Sequence, residues 1–260
     1  MSATDLKRAF DLAGRVAVVT GGNGGIGLGM ARGMAAAGAA IVVAGRDRDK
    51  SRRAVAEIEG LGARAVAIEV DVADEASVNA LIGTAVERLG RLDVLVNNAG
   101  INIRKPPHEL LLSEWRQVLD TNLTSAFLAS RAAYPVMKRQ GGGKIINIGS
   151  MMSIFGAAFA PAYAASKGGI VQLTRALATA WARDHIQVNA VLPGWIDTEL
   201  TTNARREVPG LHERVLARIP EGRWGAGDDL AGVAVFLASA ASDYLTGTAI
   251  PVDGGYSILG

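Results

Sequence analysis

The chain has 260 residues, 49% of them apolar but only 5% aromatic, and a formal charge of +2. It contains no cysteine, which excludes disulfide frameworks, iron–sulfur clusters, thiolate zinc sites and cysteine nucleophiles and makes a reducing cytoplasm the expected location. So small a charge makes no case for nucleic acid, and a polar start from Met1 to Asp11 with no apolar run near ~18 residues predicts neither a signal peptide nor a membrane span.

In chain order, the apolar run Val16 to Val19 leads into the glycine-rich stretch Gly21 to Gly29, and Ala-rich sequence follows to Ala37, which reads as strand, loop and helix. Ile41 to Val43 is a second strand, Ser51 to Leu61 is helical in pattern, Ala65 to Val70 alternates like a strand, Glu75 to Leu89 is helical and Val94 to Val96 is again a strand. A long helical tract runs from Ser113 to about Lys138, followed by the strand Lys144 to Ile148, a helix from about Tyr163 to Ala182 and the strand Gln187 to Val191. Such alternation predicts a single α/β domain, a doubly wound, mostly parallel sheet with helices on both faces. No linker divides residues 1 to 260, and the one long irregular region, Pro193 to Arg223, is expected to form a lid over a site at about 194–223.

Between strand and helix, the glycines of Thr20-Gly21-Gly22-Asn23-Gly24-Gly25-Ile26-Gly27 have a physical purpose. They allow a tight turn and close backbone approach, so that helix amides can meet a pyrophosphate. The end of the second strand then distinguishes cofactors, since an acid there bonds a ribose 2′-hydroxyl and an arginine receives a 2′-phosphate. Gly45 stands where the acid is expected and Arg46 follows, which favours NADP, while Asp47 keeps NAD open. The surrounding run Arg46-Asp47-Arg48-Asp49-Lys50-Ser51-Arg52-Arg53 reads either as a solvated helix start or as a phosphate-facing segment.

Tyr163 and Lys167 stand one helical turn apart on one face. Asn97-Asn98-Ala99-Gly100, Ser150 and Pro193-Gly194 each follow a strand C-terminus, where open α/β sheets place their ligands, and Asn122 lies in Asp120-Thr121-Asn122-Leu123. With Thr20-Gly21-x-x-x-Gly25-x-Gly27, these motifs occur in the order and spacing of the short-chain dehydrogenase/reductase family, which the chain resembles from about Leu12 to Tyr256. The resemblance implies a seven-stranded Rossmann fold, a homotetramer, and hydride transfer between a nicotinamide dinucleotide and a secondary alcohol or ketone.

It also implies a catalytic tetrad of Asn122, Ser150, Tyr163 and Lys167. Tyr163 would exchange the proton, Ser150 would hold the substrate oxygen, Lys167 would help lower the phenol from its usual ~10, and Asn122 would hold a water linking Lys167 to solvent. A helix-distorting or core-satisfied amide is the other reading of Asn122. Implied cofactor contacts are Gly21, Asn23, Gly25, Ile26, Gly27, Arg46, Asp71, Val72, Asn98, Ala99, Gly100, Tyr163, Lys167, Pro193, Gly194, Ile196 and Thr198. The chain departs from the family at Met151, where many members have a second serine, at Gly45, and in a glycine loop without a basic residue before Gly25.

Arg104-Lys105-Pro106, Thr121 to Phe127, Ile219-Pro220-x-x-Arg223-Trp224-Gly225 and Val252-Asp253-Gly254-Gly255 are similar to the branch of gluconate 5-dehydrogenases and 2-deoxy-gluconate dehydrogenases. Arg104 could then pair with an aldonate carboxylate, alongside Ser150, Met152 and Tyr163 as substrate contacts, or be a surface or subunit-contact residue. Met151, Met152, Ile154, Phe155 and Phe159 predict an apolar wall after Ser150, which suits a 3-oxoacyl thioester or another ketone as the alternative substrate. A dinucleotide-binding regulator without turnover is the alternative of another class. His108, His185 and His212 are scattered and no metal is expected.

Overall fold

The computed structural model describes residues 2–259. In chain order it comprises α1 (Ala3–Ala9), β1 (Val16–Thr20), α2 (Gly25–Ala36), β2 (Ala40–Gly45), α3 (Arg48–Glu59), β3 (Ala65–Glu69), α4 (Glu75–Leu89) and β4 (Val94–Asn97). These are followed by α5 (Leu112–Leu119), α6 (Ser125–Arg139), β5 (Gly143–Ile148), α7 (Pro161–Trp181), β6 (Ile186–Pro193), α8 (Glu199–Glu207), α9 (Leu211–Ala217), α10 (Ala231–Ala238) and β7 (Ala249–Val252). The strands form one seven-stranded sheet in the order β3-β2-β1-β4-β5-β6-β7, and every pairing is parallel.

Period-two alternation distributes each strand between two cores. Ala17, Val19, Val94, Val96 and Ile146 pack with Met30 and Met34 of α2, Ile58 of α3 and Leu237 of α10. Val16, Val18, Leu95 and Ile145 point the other way, onto Leu81 of α4, Met137 of α6 and Leu177 of α7. Full burial of a side chain such as Met30 or Ile58 contributes about 1.5–3 kcal/mol, which is why the nearly continuous apolar strands sit inside helices on both faces. The strand order reverses between β1 and β4, whose last residues Thr20 and Asn97 are paired in register, and a crevice opens beyond them.

Two expected elements differ in the structure. The helical tract after Ser113 is continuous but carries a π turn at Asp120–Thr124, where the Ser125 N–H donates to the Asp120 carbonyl five residues back. The region expected to be irregular after Pro193 instead holds α8 and α9. Thr198 caps the first through the Thr201 N–H, and Ala204, Leu211, Val215 and Ile219 bury a small third core against Met151, Leu192 and Tyr256. Short helices with only a few apolar positions each give a weak periodic signal, and packing on a third core supplies what the pattern lacks.

Candidate active site

Beyond the C-terminal ends of β1, β2, β4, β5 and β6 lies a cavity of about 590 Å³. It is lined by Gly21, Asn23, Gly25, Ile26, Arg46, Asp71, Val72, Asn98, Ala99, Gly100, Arg104, Ser150, Met152, Tyr163, Lys167, Pro193, Gly194, Ile196 and Thr198. Two residues singled out from the sequence, Gly27 and Asn122, lie behind its wall rather than in it.

Gly27 acts by what it lacks. A Cβ there would lie 2.5 Å from Asn98 Nδ2 and would also strike the Gly21 carbonyl. Gly21 and Gly25, with φ of 63° and 52°, turn the chain so that the first amides of α2 face the cavity. The turn is held from β4: Asn98 donates its side-chain amide to the Thr20 and Gly21 carbonyls at 3.0 Å each, while the Thr20 hydroxyl accepts from the Asn98 and Ala99 N–H groups. Asn98, expected to touch ribose or nicotinamide, therefore uses its donors on the loop. Thr20 was not singled out as a site residue, although it opens the quoted motif. A narrow backbone cradle with convergent amides suits a pyrophosphate.

At the end of β2, Asp47 caps α3 by accepting from the Lys50 N–H at 2.9 Å. Arg46 lines the cavity and has no ion-pair partner among the described residues, whereas Arg48 pairs with Glu69 and Arg52 with Asp49. Gly45 faces the Asn23 amide, which a Cβ would approach to 2.7 Å. An acid at 45 would have to displace that amide, so the empty acid position has a steric counterpart.

At the other end, Tyr163 and Lys167 project from the first turns of α7. Lys167 is only 4% exposed and its Nζ donates to the Ile148 carbonyl at 2.7 Å, lying 5.6 Å from the Tyr163 ring centre. Ser150 caps the short turn Met151–Ser153, accepting from the Met152 N–H at 3.2 Å. Ser153, absent from the sequence reading, bonds both the Ser150 N–H and the Lys167 carbonyl and so fixes the two against each other.

Burial pushes the Tyr163 phenol up from its usual range, against the opposing pull of the Ser150 hydroxyl and the Arg104 charge. The Lys167 ammonium gives one of its three donors to Ile148, and in the protein alone burial outweighs the influences that would lower the phenol. Burial brings the Lys167 ammonium down from 10.5 to about 8.

An unfolded chain keeps that proton to pH 10.5, whereas the folded one releases it near 8. The unfolded state therefore binds more protons between these values, and stability rises with pH across the window. Below about 8 the fold carries the whole cost, on the order of 3 kcal/mol. Lys167→Met removes the cost but orphans the Ile148 carbonyl. Its melting temperature relative to wild type is therefore expected to fall by several degrees between about pH 7 and about pH 10. A pH-independent difference in thermal melts would show that Lys167 is not desolvated in solution.

Asn122 sits in the π turn, where its Oδ1 accepts from the Ile101 N–H at 2.8 Å and its Nδ2 donates to the Ile101 carbonyl and to Ser166 Oγ at 3.0 Å each. Its side-chain amide is satisfied by protein, because the π turn aims it at the segment after β4. It ties that segment to α7 beside Lys167.

Arg104 is neither a surface residue nor, within this chain, a contact elsewhere. Its guanidinium is 10% exposed and bonds Glu207 at 2.9 Å and the Leu200 carbonyl at 3.2 Å, joining the substrate end of the cavity to α8. Nearby, Asn102 lines the cavity with a buried Oδ1 that has no protein donor. The apolar wall is smaller than expected: Met151, Met152 and Phe159 line the cavity, Ile154 points to solvent and Phe155 packs on Tyr256. His212 stacks on Trp224, away from the lining.

The family model described as Enoyl-(Acyl carrier protein) reductase matches residues 21–257. A 2-dehydro-3-deoxy-D-gluconate 5-dehydrogenase of Dickeya dadantii (strain 3937) is 44% identical over 194 residues, covering 74% of this chain and 76% of that protein. The protein of the same name in Escherichia coli (strain K12) is 43% identical over the same length, with 74% and 76% covered. Among solved structures, a gluconate 5-dehydrogenase from Burkholderia cenocepacia J2315, in complex with NADP and tartrate, is 40% identical with a TM-score of 0.92, covering 97% of this chain and 98% of that one.

Proposed function

Because the chain belongs to the short-chain dehydrogenase/reductase family, we propose that it interconverts a secondary alcohol and a ketone on a sugar acid, an aldonate or keto-aldonate, with NADP as the preferred dinucleotide. Arg104 carries this reading. It is a shielded cation whose charge is felt by the Tyr163 phenol, and it is placed to meet a substrate carboxylate.

The dinucleotide, when bound, supplies or accepts the hydride. The amides opening α2 would hold its pyrophosphate, Asp71 and Val72 would flank the adenine, and Arg46 would face the 2′-phosphate. Asp47, which kept NAD open, already has one carboxylate oxygen committed to capping α3. Ser150 holds the substrate oxygen and Tyr163 exchanges a proton with it. Burial keeps the phenol protonated, which suits the donation that ketone reduction requires. Lys167 supplies a cation to the site, while Asn122 and Ser153 hold its surroundings in place.

Leu111 and Leu112, about the start of α5, are 60% and 62% exposed, and Phe127, Ile258 and Leu259 are exposed too, which leaves apolar surface for the subunit contacts of the homotetramer that the resemblance implies. No helix among the described residues is long and apolar enough to cross a membrane. A cytoplasmic location completes the reading, in keeping with the absence of cysteine.

Purified protein should oxidise NADPH with 3-keto- or 5-keto-aldonates faster than with 3-oxoacyl thioesters or simple ketones, followed by nicotinamide absorbance. The reverse order would move the reading to the hydrophobic ketone that Met151, Met152 and Phe159 could accommodate. Tight cofactor binding without turnover on any carbonyl would indicate a non-catalytic binder.

A further inference from the structure

The glycine loop has a glycine at position 24 and no basic side chain, yet the space above that glycine is filled. A Cβ built on Gly24 would lie 3.1 Å from Lys50 Cε and 3.5 Å from Lys50 Nζ. Lys50 reaches this place from the first turn of α3, one helical turn beyond Arg46, and both side chains line the same end of the cavity. Its ammonium is held there by Glu199, the first residue of α8, at 2.7 Å.

A phosphate monoester carries about −1.5 to −2 charges near neutral pH, more than one arginine neutralises. Of the basic run from Arg46 to Arg53, Arg48 and Arg52 are committed to carboxylates outside the cavity. Arg46 and Lys50 are the two cations of that run that line it. The charged residues lining this end are Arg46, Asp47, Lys50, Asp71 and Glu199, and in the free protein Glu199 is the carboxylate that pairs with Lys50.

Resting on the NADP reading above, we infer that Lys50 is the second cation of the 2′-phosphate site, replacing from α3 the basic residue the glycine loop lacks, and that Glu199 is the internal anion the phosphate displaces. Glu199 is well placed to yield. It is 78% exposed and lies at the N-terminus of α8, where a carboxylate is favourable with or without Lys50. The pyrophosphate is served from elsewhere, by the amides of α2, so Lys50 distinguishes cofactors that differ only at the ribose.

Binding measurements that need no carbonyl substrate test this. Kd is measured for NADPH and NADH by fluorescence, and for 2′,5′-ADP and 5′-AMP by calorimetry, on the full chain. Lys50→Met, which keeps the aliphatic stem, is expected to weaken NADPH and 2′,5′-ADP about tenfold and to leave NADH and 5′-AMP within about twofold, with Lys50→Arg restoring most of the loss. Glu199→Gln is expected to tighten NADPH about threefold without moving NADH.

An equal loss on both cofactors would assign Lys50 to the pyrophosphate or to packing and overturn the inference, as would an unchanged NADPH affinity. A wild-type protein that binds NADH as tightly as NADPH would overturn the cofactor reading and the inference together. If wild type prefers NADPH but Lys50→Met does not reduce that preference, the inference alone fails.

Discussion

Tyr163→Phe is expected to lower kcat by about 10²–10⁴-fold while Kd for NADPH stays within about twofold. Burial pushes the phenol up and so keeps its proton on, and the Ser150 hydroxyl acts on the same oxygen. Phenylalanine keeps the ring and its packing and removes only the hydroxyl. Lys167 stands 5.6 Å from the ring centre with one donor on Ile148 and two left for other partners. The charge of an oxidised cofactor would add to that of Lys167 in favouring the phenolate that alcohol oxidation requires, so the variant should lose activity in both directions. Stopped-flow traces with and without substrate separate binding from chemistry. Retained turnover would remove Tyr163 from the reaction, and failure to bind NADPH would mean that the ring, not the hydroxyl, is what the site needs.

The parts of this site that the sequence displays are local ones. β1, the glycine loop and α2 form one uninterrupted stretch in which an apolar run, a turn and an amphipathic helix follow directly, so Gly21, Gly25 and Gly27 could be placed by pattern. Tyr163 and Lys167 share one helix, and a spacing of one turn brings them to one face whatever the rest of the chain does. The alternation of strands and helices likewise specified the parallel sheet, because a parallel connection needs a crossover element.

What stayed hidden depends on contacts distant in sequence. Lys50 meets Glu199 across 149 positions and Arg104 meets Glu207 across 103, and neither pairing leaves a periodic trace. The basic run from Arg46 to Arg53 did mark Lys50, but only the fold shows that it crosses Gly24 while Arg48 turns outward to Glu69. Asn122 was half legible. Its helix distortion is the π turn, but the amide's partners, Ile101 and Ser166, belong to separate elements. The direction of the Tyr163 shift was hidden for the same reason, since desolvation is a property of everything packed around a group.

Neutralising Arg104 is expected to have the second large effect, a loss of about 10²-fold in kcat/KM for keto-aldonates in Arg104→Met. The guanidinium is shielded, and its one carboxylate partner among the described residues is Glu207, at the end of α8, whose first turns line the cavity. A substrate carboxylate entering the cavity must share that guanidinium or take Glu207's place. Glu207→Gln should therefore act in the opposite direction, lowering KM for acid substrates severalfold while leaving uncharged ketones unaffected. Arg104 also holds the Leu200 carbonyl, so its loss could lift α8 and harm every substrate equally. A simple ketone assayed in parallel distinguishes the two. Selective loss on the acid identifies charge recognition, whereas parallel loss on both would reduce Arg104 to an anchor of α8 and withdraw the main support for a sugar acid.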